Sequence, residues 1–137
     1  MAIPSGSGTE VLKRTSIMNL GGGQTYGDWW YTNFTSAQIT ARDSSATVPT
    51  NHIITILSII ICDEETSSSY PFDMGVKPSG GSIMNLVKDQ YVPNKGTFTW
   101  NDKIVLSSGD ALLFRVNSDS SGDDFSVYIS FIDQDWS

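Results

Sequence analysis

The chain has 137 residues, of which 39% are apolar and 17% charged, and its formal net charge is −7. This length is sufficient for one domain with a hydrophobic core, and nucleic-acid binding is excluded because the basic residues are scattered rather than clustered. The single cysteine, Cys62, excludes an intrachain disulfide, so we expect a chain that is made in a reducing cytoplasm or does not depend on disulfides.

Neither a secretory signal nor a membrane span is expected from the sequence. The opening stretch, MAIPSGSGTE, lacks the apolar region of a secretory signal. The longest apolar run, HIITILSIIIC, is about half the length that a bilayer-spanning helix requires. We therefore expect no membrane partner.

The first third of the chain predicts an arm, a strand and an irregular segment. Residues 1–8, MAIPSGSG, have too little apolar surface to fold alone and predict a flexible arm. EVLKRTSIMNL then predicts a strand in which Val11 and Leu12 form an apolar pair. Residues 21–46 begin with three glycines, contain four clustered aromatic residues and include SAQITARD, a candidate short strand. An irregular segment of this length is usually functional.

The remaining chain predicts short strands separated by turn residues. HIITILSIIIC is β-branched and almost uniformly apolar, as in a central strand that is buried on both faces. Further strands are predicted in YPFDMGVKP, GGSIMNLVKDQYVP, TFTW, KIVL, ALLFRV and FSVYISFID. We expect KIVL and ALLFRV to form a hairpin across Ser-Ser-Gly-Asp, where Gly109 tolerates a positive φ and Asp110 bonds its own backbone two residues on.

The last of these strands has the clearest period. Its odd-numbered residues from Phe125 to Phe131 are all apolar, whereas the even-numbered residues between them are Ser, Tyr and Ser. No stretch has a sustained helical period with caps. The sequence therefore predicts an all-β protein, an antiparallel β-sandwich or jelly roll that forms a single domain over residues 9–137.

No catalytic constellation is present. The only histidine, His52, lacks the serine elbow that a triad requires and the second histidine of a His-based metal site, so we interpret it as a strand-start residue. The acidic clusters lie in Ser-rich turns without an aromatic-lined cleft, which argues against a glycosidase. We expect a non-enzymatic protein without a cofactor.

The loop NSDSSGDD is a weak candidate for a cation site. Asn117, Asp119 and Ser121 alternate before a glycine, as at the start of a calcium loop, and Asp123 supplies a further carboxylate. Tyr128 stands where a bidentate Glu should close such a loop. A plain loop between strands is therefore the preferred interpretation.

The second part of the chain contains several short turn and strand motifs that together form a pattern. They are Val48-Pro49, Asn51, Ser58-Ile59, Val92-Pro93, Gly96-Thr97-Phe98, Trp100, Lys103-Ile104-Val105-Leu106, Gly109-Asp110 and Tyr128-Ile129-Ser130. The pattern resembles a group of small structural proteins of tailed bacteriophages over residues 9–20 and 47–133, whereas residues 21–46 depart from it. The resemblance implies a β-sandwich virion component that is made in the host cytoplasm. It implies either a capsid decoration protein of the cement or knob type, bound to the major capsid protein, or a tail-associated protein bound to other virion proteins.

Attachment to a virion lattice suggests two candidate contact regions. In the arm, Ile3 and Pro4 are candidate anchors that become ordered on binding. In the irregular segment, exposed aromatic residues are candidates for the buried centre of an interface: Trp29, Trp30, Tyr31 and Phe34. The alternative is that these rings cover one open end of the sandwich. Lattice symmetry makes a homodimer and a homotrimer equally compatible with this role.

A different class of function remains open, namely a carbohydrate-binding module. Sandwich folds often bind sugars through surface aromatic residues. Trp29, Trp30 and Tyr31 would then form a platform beside Asp28 and Asn33, with a host surface glycan as a possible ligand.

Overall fold

In the part of the chain that it describes, the computed structural model contains ten β-strands. It describes residues 8–20, 28–36, 39–41, 44–64, 71–93, 95–117 and 125–136, with the backbone alone at 18–20 and 39–41. The strands are β1 (Thr9–Leu20), β2 (Trp30–Thr32), β3 (Ile39–Ala41), β4 (His52–Asp63), β5 (Pro71–Lys77), β6 (Met84–Tyr91), β7 (Thr97–Trp100), β8 (Ile104–Ser107), β9 (Ala111–Val116) and β10 (Phe125–Asp135). Within these ranges there is no helix with the length and hydropathy of a membrane span.

The strands form two antiparallel sheets. In sheet A the order is β1-β10-β4-β7, and β8 also pairs with β4. β7 pairs with residues 59–62 of β4 and β8 with residues 53–56, so β7 and β8 lie end to end along one edge. In sheet B the order is β3-β2-β9-β5-β6.

The strand pairs are nested from the ends of the chain inward. β1 pairs with β10, β2 with β9, β4 with β7 and β8, and β5 with β6. Successive pairs alternate between sheet A and sheet B, which is the strand order of a jelly roll, with β3 as an additional edge strand. The prediction of an all-β antiparallel sandwich is confirmed.

The hydrophobic core fills the space between the inner faces of the two sheets. In β10 the odd-numbered residues from Phe125 to Phe131 are at most 1% exposed, as the sequence period predicts. Sheet B supplies the opposite side of the core mainly through Phe72 and Met74 of β5 and Phe114 of β9. Burying a side chain of this size contributes about 1.5–3 kcal/mol to the free energy of folding.

A β-bulge changes which residues of β4 face the core. Consecutive residues of β10 pair with Ser58 and Ile56, so Leu57 is an extra residue on β4. The buried positions are even-numbered before the bulge and odd-numbered after it. β4 is central in sheet A, as predicted. The prediction that both its faces are buried is wrong, because the outward-facing Ile60 is 40% exposed.

The turn at residues 107–110 connects the two sheets. β8 pairs with β4 in sheet A, whereas β9 pairs with β2 and β5 in sheet B, so the predicted hairpin is wrong. Gly109 has the predicted positive φ, 87°. The carboxylate of Asp110 accepts a hydrogen bond from the Ser107 N–H at 2.9 Å, rather than from a residue two positions on.

The same turn is bound to the segment that precedes β4. The Val48 N–H donates to the Asp110 carbonyl at 2.8 Å, and the Gly109 N–H donates to the Val48 carbonyl at 2.9 Å. Two of the sequence motifs quoted above, about sixty residues apart, therefore meet at one end of the sandwich.

Candidate functional site

Two of the four candidate aromatic contacts are part of the core. Trp30 is 8% exposed and Phe34 is 2% exposed. Trp30 faces inward because β2 pairs with β9, where it lies opposite the buried Phe114. Phe34 packs edge-on against Phe131, with the ring centroids 5.1 Å apart. The prediction that these two rings are exposed contacts is therefore wrong, and this part of residues 21–46 belongs to the sandwich.

Trp29 and Tyr31 are partly exposed. The guanidinium carbon of Arg115 lies 4.3 Å from the centroid of the Trp29 ring, which is a cation–π contact. The predicted three-ring platform for a carbohydrate does not form, because Trp30 is buried and Arg115 covers one side of Trp29.

Arg115 links Trp29 to a buried carboxylate on the neighbouring strand. Asp73 lies directly opposite Arg115 in the pairing of β5 with β9, and its side chain has no exposed surface. The Arg115 Nε donates to Asp73 Oδ2 at 3.0 Å, and Nη2 donates to the same oxygen. The Nζ of Lys88 on β6 lies 3.8 Å from that oxygen. A row of contacts thus crosses the outer face of sheet B from Trp29, just before β2, to Lys88 of β6.

An irregularity in β6 completes the contacts of Asp73. The pairing of β5 with β6 shifts on both sides of Met74, and Asp89 has a φ of 49°. In this conformation the Asp89 N–H donates to Asp73 Oδ1 at 2.7 Å, while the Asp89 carboxylate accepts from the Asn117 side chain at 2.9 Å. Both carboxylate oxygens of Asp73 therefore have partners, as a buried charge requires.

The pKa of Asp73 is lower than its ordinary value. Burial is the largest influence and would raise this pKa, but the hydrogen bonds from the Asp89 N–H, Arg115 and Asn117, together with the Arg115 charge, outweigh it. Asp73 is thus a carboxylate in the folded chain. The sequence signal for this network is that Asp73 is the one charged residue within the apolar stretch PFDMGV.

Only some of the remaining candidate residues from the sequence lie within the described part of the chain. Ile3 and Pro4 of the arm lie outside the described residues, as do Asp119, Ser121 and Asp123 of the candidate cation loop. Asn117 is described, and its side-chain amide donates to Asp89. Within the described ranges, no group of three or more His, Cys, Asp or Glu side chains has the arrangement of a metal site.

His52 belongs to a charged cluster at the end of sheet A. Its Nδ1 lies 2.6 Å from Asp133 Oδ1, and the Lys13 Nζ donates to Asp133 Oδ2 at 2.6 Å. The Nε2 of His52 is 3.8 Å from an Asp135 oxygen. In the described part of the chain both ring nitrogens thus face carboxylates, and neither contacts a hydroxyl or thiol nucleophile.

Two cavities of about 350 Å³ each flank the junction between residues 48–50 and the turn at residues 107–110. The first is lined in part by His52, Asp110 and Trp136. The second is lined in part by Asn33 and Thr47. Both are open to solvent, and the two share Thr50 and Ser108.

The outer face of sheet A has an apolar character. Large apolar or aromatic side chains on it are well exposed: Leu12 by 71%, Val105 by 64%, Ile60 by 40% and Tyr128 by 38%. Among the described strand residues that face this way, the only charged ones are Glu10 and Arg14, both on the edge strand β1.

Strand register organises this face into rows. One row runs through all four strand positions, because Leu12 pairs with Ile132, Ile132 with Thr55, and Thr55 with Val105. Tyr128 and Ile60 are likewise directly opposite each other. Cross-strand neighbours on one face are within contact distance, so these side chains form a continuous surface.

The sequence pattern does not single out this face as a contact. Its signal is the near-uniform apolarity of β4, which places apolar side chains on the outer face once the inner face is buried. Val105 and Leu12 give no separate signal, because single exposed apolar residues are common on protein surfaces.

The fold and these surfaces define a jelly-roll sandwich with one charged outer face and one largely uncharged outer face. The sequence matches no protein-family model, and a search of curated proteins found no significant match.

Proposed function

We propose that the protein is a non-enzymatic structural component of a bacteriophage virion that attaches to an assembled protein lattice through the outer face of sheet A. Within this role we favour a capsid decoration protein bound to the major capsid protein, and a tail-associated position is the alternative. The sequence resemblance to small phage structural proteins supplies the class of particle, and the outer face of sheet A supplies the attachment surface.

The observation that carries the proposal is the largely uncharged, partly apolar character of this face in a chain of net charge −7. Contiguous exposed apolar surface generally marks an interaction site. The centre of an interface is depleted of charged residues and enriched in aromatic ones, which agrees with the positions of Val105, Ile60 and Tyr128.

The architecture is compatible with this role. Jelly rolls occur widely in viral capsid and lectin domains. A single cysteine leaves the fold without an intrachain disulfide, so the sandwich depends on its packed core and strand pairing. A protein that is added to a finished lattice needs a stable body and one exposed docking face.

The test uses capsid shells that lack the protein, mixed with the purified chain and imaged by cryo-electron microscopy. We expect density at regular lattice positions, with the outer face of sheet A against the shell. Bare shells would refute the decoration role. Density at the tail of intact virions would then favour the alternative position.

A pair of matched variants tests the docking face. Val105 and Met84 are both exposed apolar strand residues, but Val105 lies on the outer face of sheet A and Met84 on β6 of sheet B. Val105→Lys is expected to weaken shell binding by at least about tenfold, because it places an unpaired charge at the interface. Met84→Lys is expected to bind as the unmodified chain does. Equal effects of the two variants would contradict the assignment of the face.

A further inference from the structure

The outer edge of β1 is the longest regular sheet edge in the described structure. β1 pairs with β10 on one side, and its pairing is regular from Thr9 to Ile17. The other edges are shorter or irregular: β3 has three residues, β7 and β8 have four each, and β6 has shifts in its pairing. Residues 8–14 are all exposed. An exposed edge of this length is a template for pairing with another strand.

We propose that two copies of this chain associate by antiparallel pairing of their β1 edges about a two-fold axis at Leu12. The occupant of the edge is thus a second copy. This proposal does not depend on the role in a virion.

The register follows from the charges of β1. Residues directly opposite each other in an antiparallel pair have side chains on the same face, so a two-fold axis normal to the sheet lies midway between one residue and the same residue of the second copy. An axis at Glu10 or at Lys13 would place like charges directly opposite each other. An axis at Leu12 places Glu10 of one copy opposite Arg14 of the second, and repeats this pair on the other side of the axis. Opposite charges in directly paired positions stabilise an antiparallel ladder, and like charges destabilise it.

The side chains of Glu10 and Arg14 share the face on which these pairs would form. Glu10 and Arg14 both lie on the outer face of sheet A, since Glu10 Oε1 accepts from the Gln134 amide at 2.8 Å and the Arg14 guanidinium carbon is 6.0 Å from the Tyr128 ring centroid. Both contacts are with β10, so in the dimer each charged end would turn from β10 toward the edge of β1. Leu12, 71% exposed, would be covered by Leu12 of the second copy.

The inner side of the edge is compatible with the same register. Val11 is 47% exposed, and the axis places it opposite Lys13 of the second copy. The Lys13 Nζ is held by Asp133 of β10 at 2.6 Å, so on this face its charge is directed away from Val11 of the second copy.

Association in this way would join two copies of sheet A. The row from Leu12 to Val105 would continue through the axis to Val105 of the second copy. The joined outer face would be about twice as broad, with the Glu10–Arg14 pairs near its centre.

The first test is a charge-reversal series measured by sedimentation equilibrium over a range of protein concentrations. The unmodified chain is expected to dimerise. Glu10→Arg and Arg14→Glu are each expected to weaken the dimer by at least about tenfold, because each creates like-charge pairs at two positions. The double variant is expected to recover the unmodified affinity to within about threefold. A monomeric unmodified chain, or a double variant as weak as the single ones, would overturn the proposal.

The second test reports the register directly and uses a Cys62→Ser background. Leu12→Cys places two thiols opposite each other at the axis, within the reach of a disulfide, and mild oxidation is expected to yield a covalent dimer. Val105→Cys on the same face is the control, since it is similarly exposed but lies on the far edge of sheet A. Cross-linking of Leu12→Cys no faster than that of Val105→Cys would refute the register.

Discussion

Removal of Arg115 should change both the size and the pH dependence of the free energy of unfolding. The Asp73 side chain is fully buried and receives two hydrogen bonds from this guanidinium, whereas the Arg115 side chain is 24% exposed. In Arg115→Met the aliphatic part of the side chain is largely retained, but the charge that compensates Asp73 is lost. A buried carboxylate without its main partner is strongly destabilising.

The expected loss is about 2–4 kcal/mol at neutral pH. Removal of one partner of a buried ion pair costs about 3–5 kcal/mol, and the Asp89 N–H and Lys88 reduce this because both remain near Asp73. Asp73→Asn should cost less, about 1–2 kcal/mol, because the amide oxygen still accepts from Asp89 and the partly exposed Arg115 can be solvated. Asp73→Leu combined with Arg115→Met removes both charges and should be more stable than Arg115→Met alone.

The pH dependence separates loss of charge from loss of packing. The pKa of Asp73 is lower in the folded chain than its ordinary value, so the unfolded chain binds this proton more tightly. Asp73 therefore stabilises the fold above its ordinary pKa, and this contribution is lost as the pH falls through the folded pKa. In Arg115→Met, burial dominates and raises the pKa of Asp73. The variant should accordingly become more stable relative to the unmodified chain as the carboxylate is protonated.

Urea denaturation followed by tryptophan fluorescence, repeated from neutral to acidic pH, measures these differences. Asp73→Asn should remove the acid-dependent part of the unfolding free energy that Asp73 contributes. If Arg115→Met loses less than about 1 kcal/mol, or if both variants keep the acid dependence of the unmodified chain, then the buried charge network does not stabilise the fold.

Three further substitutions test the core and the turn, each by the shift in the midpoint of urea denaturation. Phe34→Ala should cost about 3–4 kcal/mol, because it removes a ring that packs on Phe131 in the core; an effect typical of surface residues would contradict this position. Trp30→Ala should likewise cost about 3 kcal/mol or more. Gly109→Ala should cost at least about 1 kcal/mol, since φ is 87° and a Cβ would lie 2.5 Å from the Ser79 Oγ; an unchanged midpoint would show that the turn relaxes freely.

Local periodicity was sufficient to predict the strand that most strongly defines the core. β10 is paired on both sides and has one buried face, so its burial alternates along its length and its sequence alternates with it. The turn at Gly109 was also predictable, because a positive φ strongly restricts the residue type. The pairing partners of β8 and β9, the strands on either side of that turn, were not predictable. Turn chemistry is local and does not specify which sheet each strand joins.

Features that depend on distant pairing were not predictable from local pattern. The extra residue Leu57 reverses the alternation within β4, and an almost uniformly apolar sequence leaves no mark of the position of such a bulge. The burial of Trp30 depends on the pairing of β2 with β9, more than eighty residues later in the chain. The outer face of sheet A also depends on distant pairing, because Leu12 and Val105 belong to one surface only through the register of the strands between them.

The two proposed contacts of sheet A predict separable effects on shell binding. Val105→Lys acts on the docking face and should leave the dimer intact, because Val105 lies on the far edge from β1. Glu10→Arg acts mainly on the dimer: Glu10 also lies on the outer face of sheet A, but at the β1 edge, three strands away from Val105. A dimer engages a lattice through two faces, so its loss should increase the dissociation rate without abolishing binding. The charge-reversed pair Glu10→Arg with Arg14→Glu should restore slow dissociation. If Glu10→Arg dissociates from shells as slowly as the unmodified chain while being monomeric in solution, the dimer has no part in attachment, and the docking face acts alone.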